Sequence, residues 1–281
     1  MVDSLLGFVS TAWIAVGEAI MALALPAAFF IALALILKRR EALSAARRAA
    51  HEVRINLTFY LLDTIFVVPV LGVVTVALYA FMVQWGLVVV PPAVWDIVGE
   101  YPTLILAVFL GDFIAYWRHR LEHTSWLWPT HAIHHSDEEM TWITLNRFHP
   151  INRLTTTLID GAFLTAMGLP AWAAIANALV RHYYGYFIHA DLPWTYGPLG
   201  KVFVSPAMHR WHHAREYKYA GTNFATVFSI FDRVFGTFAL PGPCDVPLGI
   251  EQDIGDTVGK QLAHPFKVWF GGLFGRRSAP N

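Results

Sequence analysis

The segment HRLEHTSWLWPTHAIHH (119–135) contains five histidines in two short motifs, and HRWHH (209–213) repeats the spacing of the second motif. Residues three or four positions apart lie on the same face of an α-helix, so each motif presents two or three imidazoles in one direction. A ninth histidine, His189, lies between the second and third motifs. Imidazole is the commonest side-chain ligand of iron, zinc, copper and nickel, so the pattern predicts a metal centre.

The number of histidines indicates how many ions the centre holds. One metal ion accepts about four to six ligands, from tetrahedral to octahedral geometry. Eight or nine converging imidazoles therefore predict two ions. The predicted ligands are His119, His123, His131, His134, His135, His189, His209, His212 and His213. His182 precedes His189 by seven residues, lies on nearly the same helical face, and is a candidate for an additional ligand.

The composition is that of a protein in contact with lipid. The chain has 281 residues, of which 56% are hydrophobic and 14% charged, and its mean hydropathy is +0.47. Soluble globular domains have roughly a quarter charged residues. The net charge is zero and no basic–aromatic motif is present, which excludes nucleic acid as an expected partner. Cys244 is the single cysteine, so neither a disulfide framework nor a thiolate-rich metal site is expected.

Apolar stretches of about 20 residues can cross a bilayer. Three stretches of this kind are Leu5–Leu37, Leu57–Val83 and Thr103–Trp117, and the third leads directly into the first histidine motif. A fourth, Thr155–Val180, is broken near Gly168 and predicts a re-entrant helical hairpin or two short spans. We therefore expect an all-α integral membrane protein with about three to four transmembrane helices, a short re-entrant hairpin and a cytosol-facing, histidine-rich catalytic helical cap.

Basic residues set the expected orientation and the division of the chain. Residues 38–54 contain six of the 20 Lys and Arg residues, whereas residues 84–117 contain none. By the positive-inside rule, the 38–54 connection and the histidine motifs lie on the cytoplasmic side, at the inner membrane if the cell is bacterial. We expect N-terminal transmembrane helices in 1–100, a catalytic domain in 101–240, and a tail in 241–281 that lies in the membrane interface, with a disordered end as the alternative.

Imidazole ligands need hydrogen-bond partners that orient their rings. Asp112 lies two helical turns before His119 and is the first candidate, and Asp232 and Asp160 are further ones. An acidic residue near the end of a span is costly unless it has a partner. His51 and His264 are expected to be solvated.

Six segments resemble the fatty acid hydroxylase/sterol desaturase superfamily. They are DFIAYWRHRLEH (112–123), LWPTHAIHHS (127–136), RFHP (147–150), IHADLPW (188–194), VSPAMHRWHH (204–213) and NFATVFSIFDRVFGTF (223–238). The resemblance implies an integral membrane, non-haem di-iron monooxygenase type of enzyme that uses two iron ions, O2 and a lipid from the bilayer. Because no HPGG haem motif is present, it also implies a separate electron donor, cytochrome b5 or a ferredoxin with its reductase. His149 and Asn223 lie in these segments and are expected near the substrate.

The sequence leaves alternative functions open. The first is hydroxylation or desaturation of an unactivated C–H position of a sterol, fatty acyl or related lipid. A haem electron carrier of the membrane would place histidines within opposing spans, whereas here they follow spans. A zinc-dependent hydrolase would normally contain HExxH, and a metal transporter would hold its ligands at mid-membrane. Substrate, position of attack, electron donor and oligomeric state are left open by the residues.

Overall fold

The computed structural model describes the backbone of residues 2–216, 219 and 221–274 and the side chains of 14–216, 219 and 221–271. Within these ranges the protein is helical and contains no β-strand. The helices named below are, in chain order, α1 (Val2–Lys38), α2 (Ala42–Leu62), α3 (Val68–Gln84), α4 (Ala93–Val98), α5 (Glu100–Glu122), α6 (Trp128–His135), α7 (Pro150–Ala166), α8 (Ala171–His189), α9 (Pro206–His212), α10 (Ile230–Val234) and α11 (Val258–Phe274).

The apolar stretches expected from the sequence coincide with helices. The first lies within α1 and the third within α5, while the second runs from α2 through a π-helical segment, Asp63–Val67, into α3. Within the described chain, one continuous helical stretch, Ile14–Gln84, is long and apolar enough to cross a membrane. Only 17% of its most apolar part is buried inside the protein, so most of this surface has no protein covering.

The π-helical segment joins α2 to α3 next to a proline. Pro69 lies in the first turn of α3 and has no backbone N–H to donate, so the hydrogen-bond ladder cannot continue unchanged through this point. The Asp63 carboxylate in this segment forms an ion pair with Arg153 Nε of α7 at 3.1 Å. The pair links the second apolar stretch to the helix that begins beside the histidines.

Helices α7 and α8 follow one another along the chain, and the break between them lies near Gly168, as the sequence predicted. The turn between them contains Gly168, which has a φ of 58° and no room for a side chain because the Val90 carbonyl lies against it. The backbone N–H groups of Val89 and Val90 donate to Ala166 O at 2.7 and 3.1 Å and hold the turn in place. Helix α5 packs against both α7 and α8, so the three helices support the first histidine motif together.

An apolar core fixes the ends of these helices below the histidine motifs. Tyr116 of α5, Ile188 of α8, Met208 of α9 and Phe231 of α10 are buried in one cluster with Phe224. Tyr116, Ile188 and Met208 each lie within three positions of a histidine singled out above, and Phe224 contacts His119 through its backbone carbonyl. Burial of this core therefore determines where the imidazoles point.

The C-terminal tail contains an amphipathic helix. On α11, Phe266, Val268 and Phe270 are about half exposed, whereas Gln261 and His264 are buried. His264 was expected in solvent and is instead 7% exposed, because it lies on the inner face of this helix. Trp269 Nε1 donates to Trp126 O at 2.9 Å and ties the helix to the segment between the first two motifs. Residues 275–281 of the tail lie outside the described residues.

Candidate metal centre

The structure brings the nine histidines singled out by their spacing into two adjoining groups. In each group, one ring nitrogen of every histidine lies within 4.8 Å of those of the others. The five-histidine group consists of His119, His123, His131, His135 and His212. The four-histidine group consists of His134, His189, His209 and His213. Four helices supply them, namely α5, α6, α8 and α9.

Each HxxHH motif contributes to both groups. In HAIHH, His131 and His135 belong to the five-histidine group and His134 to the other. In HRWHH the assignment is reversed, because the i,i+4 pair belongs to the four-histidine group and His212 to the other. Successive residues on an α-helix are about 100° apart around its axis, so neighbouring histidines point to different centres. The two adjacent histidines at the end of each motif therefore belong to different groups.

Distances within the groups fit ligands of a shared ion. His119 Nε2 lies 3.0 Å from the Nε2 atoms of both His131 and His212. In the other group, His189 Nε2 lies 3.2 Å from His134 Nε2 and 3.0 Å from His209 Nε2. Two nitrogens bound at a right angle to one ion, with bonds of about 2.1 Å, would be separated by about 3.0 Å. Each group can therefore hold one metal ion.

The two groups share a boundary. The rings of His135 and His213, one from each group, stack with their centroids 4.3 Å apart and an interplanar angle of 19°. His135 Nε2 and both ring nitrogens of His213 are buried without a hydrogen-bond partner in the described structure. A buried polar nitrogen without a partner is unfavourable, and a bound metal ion would satisfy it. The donor set thus fits a pair of neighbouring cations.

Burial lowers the pKa of eight of the nine imidazoles below its usual value, which favours their neutral form. Burial lowers the pKa of His189 to about 3 and that of His212 to about 4, although a backbone carbonyl hydrogen bond to each ring opposes the shift. For His134 and His213, burial and then the neighbouring imidazoles lower the pKa well below its usual value. Neutral imidazole is the form that binds metal, so no proton has to leave before an ion binds.

Backbone carbonyls orient three of the rings. His119 Nδ1–H donates to Phe224 O at 2.8 Å, and His212 Nδ1–H donates to Thr222 O at 2.6 Å. On α8, His189 Nδ1–H donates to Gly185 O at 2.7 Å. In each case the donated proton leaves Nε2 free to bind an ion. Sequence reasoning missed these partners, because a backbone carbonyl carries no residue-specific signal.

Asp112 and Asp232 bind the backbone rather than the imidazoles that they were expected to contact. Asp112 accepts hydrogen bonds from the N–H groups of Thr226, Val227 and Phe228 at 2.7–3.1 Å. Asp232 accepts those of Phe224 and Ala225 at 2.7 and 3.1 Å. Seven helical residues separate Asp112 from His119 by about 10 Å along α5, too far for a direct contact. Both carboxylates instead hold the 222–228 segment, whose carbonyls orient His119 and His212.

Glu122 is a buried carboxylate that sequence reasoning overlooked. It lies within the HRLEH motif, has no exposed surface, and its Oε2 is 3.5 Å from His131 Nδ1. Arg118 NH1 donates to the same oxygen at 2.9 Å, and Arg118 Nε pairs with Asp160 at 2.8 Å. Asp160, a further candidate partner of the imidazoles, is therefore bound to an arginine. The sequence signal that could have identified Glu122 is its position directly before His123, a predicted ligand.

His182 lies outside both groups. Its ring packs against that of Tyr186 at 4.4 Å, and burial lowers its pKa to about 4. It faces a cavity of about 290 Å³ enclosed by α5, α7 and α8. The cavity is bordered by histidines from both groups, by arginines and by apolar side chains: Ala115, Arg118, His119, Glu122, His131, His134, Leu145, Phe148, Asn152, Arg153, Thr156, Ala178, Arg181, His182, Ile188, His189, His209 and Thr226.

His149 and Asn223, expected near a substrate, have structural contacts and are not among the described residues that line this cavity. His149 Nδ1 accepts the Ile151 N–H at 3.1 Å and so caps α7. Asn223 has a φ of 56°, which its short polar side chain tolerates, and its amide nitrogen donates to Met208 O at 2.9 Å. A larger cavity of about 720 Å³, between α1 and α2, borders none of the nine histidines.

Comparisons with known proteins agree with this geometry. Residues 104–237 match the family model described as fatty acid hydroxylase. The chain is 32% identical to an ornithine lipid hydroxylase of Rhizobium tropici over 58% of this chain and 50% of that protein. It is 30% identical to an alkylglycerol monooxygenase of Caenorhabditis elegans over 62% of this chain and 34% of that protein. It is 26% identical to a Delta(7)-sterol 5(6)-desaturase of Gibberella zeae over 62% and 48%.

The chain thus spans half or less of the length of these relatives. No solved structure gives a significant match. The region matched by the family model nevertheless contains all nine histidines of the two groups, together with Asp112, Glu122 and Asp232. Residues 104–237 therefore form a region that is similar to the fatty acid hydroxylase family, as the resemblance of the histidine motifs predicted.

Proposed function

We propose that the protein is a membrane-bound, O2-dependent di-iron oxidoreductase that hydroxylates or desaturates an unactivated C–H position of a lipid. The observation that carries the proposal is the arrangement of nine imidazoles, seven of them buried and the other two half-buried, in adjoining groups of five and four. Relatives named as a lipid hydroxylase, a monooxygenase and a desaturase support the same reaction class.

The five-histidine group would hold one iron ion and the four-histidine group the other. Once bound, the two ions would activate O2 for attack on a C–H bond. Soluble di-iron bundles use glutamates and ExxH motifs, whereas here every candidate ligand is a neutral imidazole. We infer that a neutral shell leaves the charge of the ions uncompensated, which favours the strong oxidant that an unactivated C–H bond requires.

The other residues position the ligands and the substrate. The carbonyls of Thr222 and Phe224 fix two rings, and Arg118 balances the charge of Glu122 beside His131. The cavity of about 290 Å³ would hold a segment of the lipid against histidines of both groups. We propose that the lipid enters sideways from the bilayer, because the first histidine motif begins two residues after an apolar stretch that ends at Trp117.

We further propose a multi-pass protein with about three to four spans, an α7–α8 hairpin that dips into the membrane, and a cytoplasmic active site. Met21, Leu25 and Val73 support this topology, because each is more than 70% exposed on α1 or α3. Large apolar surfaces without a protein partner indicate contact with lipid. Electrons would come from a separate protein, cytochrome b5 or a ferredoxin with its reductase.

The distances within the groups argue against a haem electron carrier. A haem iron held by two histidines has one imidazole on each face of the porphyrin. Nε2 atoms only 3.0 Å apart, as between His119 and His131, leave no room for a porphyrin between the rings. The groups match bare ions instead.

Metal content and turnover test the proposal. The purified chain should contain about two iron ions, and should support O2-dependent lipid oxidation when supplied with electrons. His134→Ala and His212→Ala each remove a ligand from a different group, so each should lower the iron content to about one ion or less and abolish turnover. His51→Ala, an exposed position in the basic connection, is the control. Full O2-dependent turnover in both ligand variants, or a haem Soret band, would refute the proposal.

The lipid profile of the host identifies the outcome of the reaction. Lipids from cells with and without the functional gene are compared by mass spectrometry. Addition of one oxygen atom indicates hydroxylation, and loss of two hydrogen atoms indicates desaturation. An unchanged profile in cells that contain iron-loaded protein would contradict a lipid substrate.

A further inference from the structure

The cavity beside the histidine groups contains a buried asparagine with no protein partner. Asn152 lies in the first turn of α7, is 2% exposed and lines the cavity. Neither its side-chain nitrogen nor its side-chain oxygen has a hydrogen-bond partner in the described structure. Buried polar groups are nearly always hydrogen-bonded. We therefore expect a molecule bound in the cavity to form hydrogen bonds with both side-chain atoms of Asn152.

Asn152 and the histidines border the same small space. The Phe148 ring stacks on His134 with a centroid distance of 4.4 Å, and Phe148 precedes Asn152 by four residues. A volume of about 290 Å³ lies at the lower end of the range of about 300–1,000 Å³ that is usual for ligand pockets. Only a segment of a lipid fits there. A lipid group bound by Asn152 would therefore be only a few bonds from the carbon presented to the histidines.

The charges around the cavity are compensated. Three arginines line it, and each has a carboxylate partner: Arg118 pairs with Asp160 at 2.8 Å, Arg153 with Asp63 at 3.1 Å and Arg181 with Asp160 at 3.3 Å. No uncompensated positive charge is available here for a carboxylate or phosphate of a ligand. A neutral polar group fits this environment, since it brings no charge that would need a partner.

The side chain of Asn152 offers both hydrogen-bond donors and an acceptor. A hydroxyl or a secondary amide satisfies both kinds of atom. An ester or ether can only accept, and a hydrocarbon chain can do neither. We infer that Asn152 selects a lipid that carries a neutral hydroxyl or amide group a few bonds from the carbon under attack. The inference rests on the proposed function of the histidine groups, and it assigns the reaction to the headgroup or its linkage rather than to the middle of an acyl chain.

Binding of defined probes to the full chain tests this inference without turnover. Labelled hexadecanol, N-methylhexadecanamide, methyl hexadecanoate, hexadecanoate and hexadecane share one chain length and differ in their polar group. Their retention by the immobilised, metal-free protein in detergent is compared. The alcohol or the amide should bind at least about tenfold more tightly than the ester and the hydrocarbon, because a site built to hydrogen-bond a group rejects analogues that lack it.

Variants assign the preference to Asn152. Asn152→Ala and Asn152→Leu should bind all the uncharged probes within about twofold of one another, the second while keeping the number and branching of the side-chain heavy atoms. Asn177→Ala is the matched control, because Asn177 is equally buried and also has an unpartnered oxygen, but is not among the described residues lining the cavity. This control should keep the wild-type order of affinities.

Several results would overturn the inference. Equal binding of the uncharged probes by the wild type would mean that Asn152 meets only water, and tightest binding of hexadecanoate would mean that the cavity prefers an anion. An unchanged order in both Asn152 variants would remove Asn152 from the site. Since the assay uses metal-free protein, a correct order together with an iron-loaded protein that oxidises none of the probes would contradict the proposed function alone.

Discussion

His189 and His212 keep neutral rings far below the pH at which histidine ordinarily gains a proton. Burial is the main cause, and it lowers their pKa values to about 3 and about 4 from an ordinary value of 6.5. For His189 the imidazole of His212 adds to the effect, because a proton on one ring would repel a proton on the other. A cluster of this kind is stable as a neutral set of donors and unstable as a set of cations.

The stability of the metal-free protein should therefore depend on pH. Between pH 6.5 and about 4 the unfolded chain binds protons at these histidines and the folded chain does not. The free energy of unfolding should fall as the pH is lowered through this range, and the midpoint of denaturant unfolding in detergent measures it. His212→Gln should give a shallower dependence, because one depressed group is lost. A midpoint that does not change between these pH values would contradict the neutrality of His189 and His212 in the folded protein.

At the scale of single residues, the sequence predicts which histidines converge better than it predicts the hydrogen-bond partners of their rings. The spacing of HAIHH and HRWHH is enough to single out their histidines, because helical geometry converts spacing into direction. The division of His134 from His135 between two groups depends on how α6, α8 and α9 pack. The unpartnered state of Asn152 is likewise invisible in a sequence, since it is defined by neighbours that the fold brings near.

One irregular element, residues 222–228, connects two buried carboxylates to two candidate ligands. Asp112 and Asp232 bind its amides, and its carbonyls at Thr222 and Phe224 receive the ring protons of His212 and His119. A loop without its own hydrogen-bond ladder needs such anchors to hold a fixed shape. The carboxylates thus act on the metal groups through the backbone.

Removal of one anchor should loosen the metal site without destroying it. Asp112→Ala should weaken metal affinity by about 10–100-fold, as expected for residues that orient ligands. Competition with a chelator of known affinity measures the change. Asp63→Ala is the control, since Asp63 pairs with Arg153 and does not contact the 222–228 segment. Wild-type affinity in Asp112→Ala would mean that the segment keeps its shape without this carboxylate.

The sequence predicts regular elements well and irregular ones poorly. Apolar runs correctly place α1 and α5, and Gly168 correctly marks the break between α7 and α8. The π-helical segment before Pro69 could not be inferred, because a proline inside an apolar run is compatible with a kink, a break or a shift in the ladder. The path of residues 222–228 depends on carboxylates far away in the chain.

The whole molecule divides into an apolar helical part and a part that carries the histidine groups. Helices α1 and α3 expose apolar side chains, whereas seven of the nine histidines of the two groups are buried inside the protein. Trp211 Nε1 donates to Gly242 O at 2.9 Å, so the segment after Gly242 belongs with α9 and its histidines. Cys244 lies in this segment and reports on which side of the membrane the histidine groups are found.

Labelling of the native cysteine tests the orientation. A membrane-impermeant maleimide should label Cys244 only after the cytoplasmic side is made accessible. The reaction should be slow near neutral pH, because burial raises the pKa of the thiol. Leu87→Cys in a Cys244→Ser background is the comparison, since Leu87 is 43% exposed in the connection after α3, on the opposite predicted side. Labelling of Cys244 in intact cells would reverse the proposed topology.

The order in which the histidines occur along the chain gives bound metal a second role. One group joins α5, α6 and α9, and the other joins α6, α8 and α9, so the two ions would cross-link stretches of polypeptide that are up to 93 residues apart, from His119 to His212. A chain with a single cysteine has no internal covalent cross-link of its own. Iron would supply tethers of the kind that disulfides provide in secreted proteins, and it would do so in a reducing compartment where disulfides do not persist. Iron starvation would then leave a loosened, protease-sensitive chain as well as an inactive one.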